Sequence, residues 1–124
     1  MLSGAAFVGF IPARDAGAAR AFYEGVLGLR VVESSPFALI LDLQGTTLRV
    51  TSAGDFIPQP FTVAGWHVQD VAAEVRALQA KGVEFARYDG MEQDELGIWT
   101  APSGDRVAWF RDPDGNTLSL TTLA

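Results

Sequence analysis

The sequence predicts an α+β fold made of two β-α-β-β-β modules within one domain spanning residues 1–124, and three observations carry that prediction. A β-prone run, a capped helix and three more β-prone runs follow one another over about residues 1–53. After a connector at 54–60 that holds Gly54, Pro58 and Pro60, a strand and a capped helix start again over about residues 61–124. The two helix N-caps, Asp15 and Asp70, lie 55 residues apart, and the two helix stops, Gly28 and Gly82, lie 54 apart. Such a fixed spacing marks an internal duplication.

The elements follow in order. Residues 5–12 are apolar and β-prone and are stopped by Pro12, which reads as a buried strand and a turn. Asp15 supplies an N-cap to an alanine-rich helix in which Ala18, Phe22 and Val26 recur every four residues, and Gly28 ends it. Strands are expected at 29–34, 37–43 and 46–52, separated by Ser-Pro and Gln-Gly turn signals. Proline and glycine in the connector resist both ladder and helix.

The second module begins with a strand at 61–69. Asp70 then caps a helix whose Val71, Val75 and Leu78 share a face and which Gly82 ends. A short strand is expected at 83–86, an acidic loop at 87–96, and an additional edge strand at 98–101. Residues 106–111 and 117–122 form a hairpin across Asp112-Pro113-Asp114-Gly115-Asn116, where proline and glycine suit the turn.

Composition narrows the function. With 48% hydrophobic and 19% charged residues, the chain is an ordinary globular sequence able to bury a sizeable core. Nine basic against fifteen acidic side chains give a net charge of −6, which opposes nucleic acid or an anionic membrane surface as partner. The absence of cysteine excludes disulfides, thiol nucleophiles and thiolate metal sites. The first twelve residues lack a basic leader and a spanning apolar run, so a cytoplasmic location is expected.

Two segments, Ala21-Phe22-Tyr23 with Val26-Leu27-Gly28-Leu29 and Phe110-Arg111-Asp112-Pro113-Asp114-Gly115-Asn116, resemble motifs of the vicinal oxygen chelate superfamily. That superfamily includes glyoxalase I, extradiol dioxygenases, fosfomycin-resistance transferases and bleomycin-binding resistance proteins. The resemblance covers essentially the whole chain and implies two modules whose mixed sheets curl into cups, with helices outside and a cavity between the modules. It also implies a homodimer.

Metal-using members place their ligands on the first and last strands of each module, positions that fall here on Val8, Arg49, Val63 and Ser119. Two valines, a permanent cation and one hydroxyl make a poor divalent-metal set. The single histidine also excludes a two-histidine, one-carboxylate site within one chain. No metal and no cofactor are therefore expected. The acidic run 89–95 carries four carboxylates at spacings unlike an EF-hand loop and reads as solvated loop.

The candidate ligand-binding residues are Val8, Phe10, Arg49, Val63, His67, Trp99, Trp109 and Ser119. His67 lies four residues after Val63, on the same face of a regular strand, where it serves either as a ligand hydrogen-bonder or acid/base group, or as a structural histidine. It is the one catalytic candidate. Arg49, on an inward face, must find an anion or keep contact with water; a ligand carboxylate or phosphate competes with an internal partner such as Asp42 or Glu33. Phe10, Phe37, Phe56, Trp99, Trp109 and Phe110 are candidate walls for a flat ligand or members of the core, and Trp66, out of phase with His67, packs under the second helix.

The function expected is metal-independent binding of an apolar or aromatic small molecule in the cavity between the modules, serving antibiotic or toxin sequestration. A lyase, isomerase or transferase using His67 as acid or base is the alternative. An interaction module with a filled cavity is the third reading.

Overall fold

The computed structural model describes residues 1–124, in two compact units, Met1–Ile57 and Pro58–Ala124. In the first unit, strands β1 (Val8–Ala13), β2 (Arg30–Ser34), β3 (Ala38–Leu43) and β4 (Thr46–Ser52) form a sheet of order β1-β4-β3-β2. β1 runs parallel to β4, and the other pairs are antiparallel. A short 3₁₀ turn, Leu2–Gly4, precedes β1.

Asp15 caps the following helix as its position predicts: its carboxylate accepts from the Gly17 and Ala18 N–H groups at 2.8 and 3.4 Å. Helix α1 (Ala16–Arg20) then widens into a π-helical segment, Ala21–Val26. The wider turn shows in the bond from Leu27 N–H to the Phe22 carbonyl, 2.9 Å, five residues back. Its consequence is that Phe22 and Tyr23 both turn inward, meeting edge to face at 5.3 Å and 88°. The core-facing stripe is thus Ala19, Phe22 and Tyr23, rotated from the predicted 18/22/26 series because that series assumes regular α turns. Gly28, at φ 72°, ends the helix; only glycine enters this region at no steric cost. The sheet face beneath the helix contributes Ile11, Ala13, Leu39, Leu41, Leu48 and Val50, all buried, and each fully buried large aliphatic chain stabilises by about 1.5–3 kcal/mol.

The second unit repeats the plan. Strand β5 (Thr62–His67), helix α2 (Val71–Ala80), and strands β6 (Trp99–Thr100), β7 (Arg106–Arg111) and β8 (Thr117–Thr122) give a sheet of order β5-β8-β7-β6. The Asp70 carboxylate accepts from Ala73 N–H at 3.1 Å, and Val71, Val75 and Leu78 are the buried face of α2. Thr122 ties this helix to the sheet: its hydroxyl oxygen accepts from Val71 N–H and donates to the Val68 carbonyl, both at 2.9 Å. Ala108, Phe110, Leu118 and Leu120 are buried in the core of this unit.

The predicted strand at 83–86 does not form. Phe85 makes one isolated bridge to Phe110, and Ala86 N–H donates to the Trp109 carbonyl at 2.7 Å. The chain then leaves the sheet and returns as β6, pairing Trp99 with Val107 and Thr100 with Arg106. Two short segments therefore share one edge position along β7. The excursion between them is pinned by Gln93, whose amide donates to the Ala86 and Gly97 carbonyls (2.9 and 2.8 Å) and accepts from Tyr88 N–H (2.8 Å).

At the β7–β8 hairpin the buried Asp112 carboxylate accepts from the Asp114 and Asn116 N–H groups and from Asn116 Nδ2. Gly115 takes φ 91° there. No helix is long and apolar enough to cross a membrane.

Candidate functional site

Each sheet carries its helix on one face, so the residues of interest are those on the other. Side chains alternate between faces along a strand, and directly paired residues share a face. In the first sheet, register places Phe10, Arg49, Ile40 and Glu33 in one row across the helix-free face, and Val8, Thr47, Asp42 and Arg30 in the next. Val8, Phe10 and Arg49 are thus brought together. Phe10 is 64% exposed and Val8 40%, while their neighbours Ile11 and Leu48 are buried on the opposite face.

Arg49 has neither of the internal partners considered for it. The Asp42 carboxylate is taken by Arg30 at 3.1 Å and accepts from Gly45 N–H at 2.9 Å. The chain's ion pairs include Arg20–Glu24, Arg30–Asp42 and Arg106–Asp94, and Arg49 is in none of them. The Arg20–Glu24 pair lies on the exposed surface of the first helix, where the hydrogen bond that Arg20 donates to Glu24, then the charge of Glu24, holds the guanidinium above the ordinary arginine range. Arg49 therefore presents an unpaired cation, half-buried between Phe10 and Ile40.

In the second sheet, the rows on the helix-free face are Trp99, Val107, Thr121 and His67, and beside it Trp109, Ser119 and Gly65. Val63 departs from the regular strand assumed for it. A bulge sets Thr62 and Val63 together against Thr117, the two-against-one count of a β-bulge. The phase from Gly65 to His67 survives because the extra residue precedes both.

Gly65 stands where the first sheet has Phe10, 55 residues earlier, and it is needed there. A methyl at Gly65 would overlap the Ser119 hydroxyl and lie 3.1 Å from the Ser119 carbonyl oxygen. The Ser119 side chain thus leans over bare backbone. His67 is exposed, and its imidazole has no hydrogen-bond partner within the chain.

Trp109 lies at the centre of an aromatic group. Its ring lies 6.1 Å from Trp99, tilted at 36°, and 5.6 Å from Tyr88, edge to face at 87°. Its indole N–H donates to Thr62 Oγ1 at 3.2 Å. Tyr88, Thr62 and Gly65 were not singled out by sequence. Tyr88 reaches Trp109 only because Gln93 pins the excursion, a tertiary arrangement with no local signal; the bulge that aims Thr62 likewise has none.

Two other aromatics are not walls of this face. Phe110 is fully buried, stacked on Trp66 at 6.5 Å and packed against Phe85 at 5.4 Å. Its phase along β7 is opposite to that of Trp109, which is the reason. Phe56 lies under the Arg14 guanidinium at 4.4 Å, and Arg14 also donates to the Phe56 carbonyl, so it anchors the connector to the first unit.

The residues at the four implied metal positions do not fit a divalent ion. Val8 and Val63 have no lone pair, the Arg49 guanidinium repels a cation, and Ser119 offers one neutral oxygen. Nor are three or more His, Asp or Glu side chains gathered anywhere in the chain in a way that could hold one.

Known structures share this architecture. Lactoylglutathione lyase from Agrobacterium tumefaciens is similar at TM-score 0.76 and 19% identity, with 95% of this chain and 92% of that chain covered. A proposed glyoxalase family protein from Bacillus anthracis gives TM-score 0.76 at 14% identity over 96% and 94% of the two chains. A glyoxalase/bleomycin resistance protein/dioxygenase from Alicyclobacillus acidocaldarius gives 0.68 at 21% identity over 95% and 90%. At these identities the likeness is one of fold. Comparison with curated proteins returned no match. The model of the glyoxalase/bleomycin resistance protein/dioxygenase superfamily matches residues 5–120, and the chain belongs to that superfamily.

Proposed function

We propose that this protein binds a small apolar or aromatic molecule against the helix-free faces of its sheets, without metal or cofactor, in the service of antibiotic or toxin sequestration. The observation that carries the reading is Arg49, a cation without an internal partner beside the exposed ring of Phe10. Once a ligand covers that half-apolar face and removes the water, holding such a charge is costly unless an anion completes it. A ligand that pairs a flat apolar body with a carboxylate or phosphate satisfies both neighbours. Sequestration asks only for affinity: burying roughly 300 Å² of apolar ligand surface is worth about 7 kcal/mol gross, from which association costs are subtracted. A homodimer, implied by the resemblance, and a cytoplasmic location belong to the same reading.

The test is a thermal-shift screen of aromatic carboxylates and phosphates, followed by titration of the best hit. Arg49→Ala is expected to weaken that hit by about tenfold or more, the worth of a charge-assisted hydrogen bond. Affinity as tight as the parent's in both Arg49→Ala and His67→Ala would refute the anchor assignment. Stoichiometric divalent metal retained after dialysis would refute the metal-independent reading.

A second reading, an enzyme of the same fold with His67 as acid or base, is favoured by the name of the lactoylglutathione lyase neighbour and by the exposed position of His67. Its imidazole has no carboxylate to orient it, which is why binding is preferred.

A further inference from the structure

We propose that the groove between the excursion of the second unit and strand β6 is a second site, bordering the helix-free face at Trp99, for an organic cation, an amine or quaternary ammonium borne on a flat apolar body. The groove has a volume of about 730 Å³, and its walls include Tyr88, Asp89, Met91, Glu92, Asp94 and Trp99. It goes beyond the binding reading above, because it needs neither Arg49 nor an anionic ligand.

Three features select that class. The first is the rings. Tyr88 and Trp99 line the groove and both rest against Trp109, so two aromatic faces are held by a third ring rather than left free to collapse. A cation over an indole or phenol face is attracted by the ring quadrupole. Met91 adds a polarisable, adaptable wall for the apolar body.

The second is the pattern of charge. No basic side chain lines the groove. Two neighbouring ones are already engaged: Arg106 pairs with Asp94 at 3.7 Å, and Arg87 donates to the Glu95 carbonyl at 2.7 Å. Asp94 is committed to the fold, its Oδ1 accepting from the Leu96 and Ile98 N–H groups at 2.9 Å. Asp89 and Glu92, by contrast, have neither hydrogen bond nor ion pair. Two uncommitted carboxylates beside aromatic walls, in a chain of net charge −6, favour a positive guest. They are not grouped as an inorganic ion requires, whereas a bulky cation with diffuse charge needs only proximity.

The third is rigidity. Gln93 closes the excursion with three hydrogen bonds to its two stems. The walls are therefore set before a guest arrives, and little ordering cost remains for binding.

The experiment compares the fluorescent probe 10-methylacridinium with acridine, at a pH where acridine is neutral. The two share shape and differ in charge, and tryptophan quenching in the full chain reads their affinities. The cation is expected to bind about tenfold tighter or better, with the preference shrinking in high salt. Asp89→Asn/Glu92→Gln, two exposed changes that leave the loop bonds intact, is expected to remove most of that preference while sparing acridine. Trp99→Ala is expected to weaken both probes. Equal affinity for the two probes, or a preference untouched in the double variant, would overturn the cation assignment and leave the Arg49 reading standing. Failure of both probes to bind would overturn the groove as a site, again without bearing on Arg49, which the screen of anions tests separately.

Discussion

Gly65→Ala is the substitution whose outcome follows most directly from the geometry. The backbone at Gly65 is extended, so alanine meets no conformational penalty of its own and removes freedom from the unfolded chain, a gain of about 0.4–1 kcal/mol. The added methyl, however, overlaps the Ser119 hydroxyl and sits 3.1 Å from the Ser119 carbonyl oxygen. The hydroxyl can rotate, but the carbonyl belongs to the β5–β8 ladder, where Gly65 and Ser119 are paired, and cannot. Overpacking of this kind costs about 1–3 kcal/mol, so the net expectation is a loss of about 0.5–2 kcal/mol. In a Ser119→Ala background the hydroxyl no longer has to move while the carbonyl contact at 3.1 Å remains, so Gly65→Ala is expected to cost less without becoming neutral, a coupling of about 0.5 kcal/mol or more between two touching sites. Urea denaturation of the four proteins in the cycle, compared by midpoint at constant slope, measures it. If the cost were the same in both backgrounds to within about 0.3–0.5 kcal/mol, the crowding explanation would be wrong.

Two further outcomes are expected. Gln93→Ala removes three bonds that span residues 86–97; it should cost about 1–3 kcal/mol and raise amide exchange across the excursion selectively, and unchanged exchange there would show that the loop is held by something else. Asp112→Ala leaves two backbone N–H groups and the buried Asn116 amide without their acceptor; a loss of about 2–4 kcal/mol in urea denaturation is expected, and a change below about 0.5 kcal/mol would contradict it.

Much of this fold was legible because local chemistry and tertiary structure agree. Asp15 and Asp70 are caps in sequence and in space, and the Thr-Leu-Arg-Val-Thr and Thr-Leu-Ser-Leu-Thr runs alternate as half-buried strands must. That alternation also placed Arg49 and Ser119 on the helix-free faces. Where the reading failed, the deciding interaction lay elsewhere in the chain. The π-helical turn at 21–26, which turns both Phe22 and Tyr23 inward, is announced by nothing in their order. The strand at 83–86 had the right composition, but its neighbour β7 is already paired with Trp99 and Thr100 over the other part of its edge. The aromatic group around Trp109 draws on residues 62, 88 and 99, a juxtaposition that only topology supplies.

The divided edge of the second sheet has a consequence for how such a protein can change. Between Phe85 and Trp99 the chain departs from and rejoins the same flank of β7, while the pairing of β7 with β8 runs on without a register shift. Lengthening a flexible loop is cheap, about 0.6 kcal/mol for each doubling, and here it shifts no register. Insertions and replacements in that stretch that leave Gln93 and its three bonds in place would reshape the walls of the proposed groove while the duplicated framework stays as it is, so guest preference could vary at little cost to the scaffold.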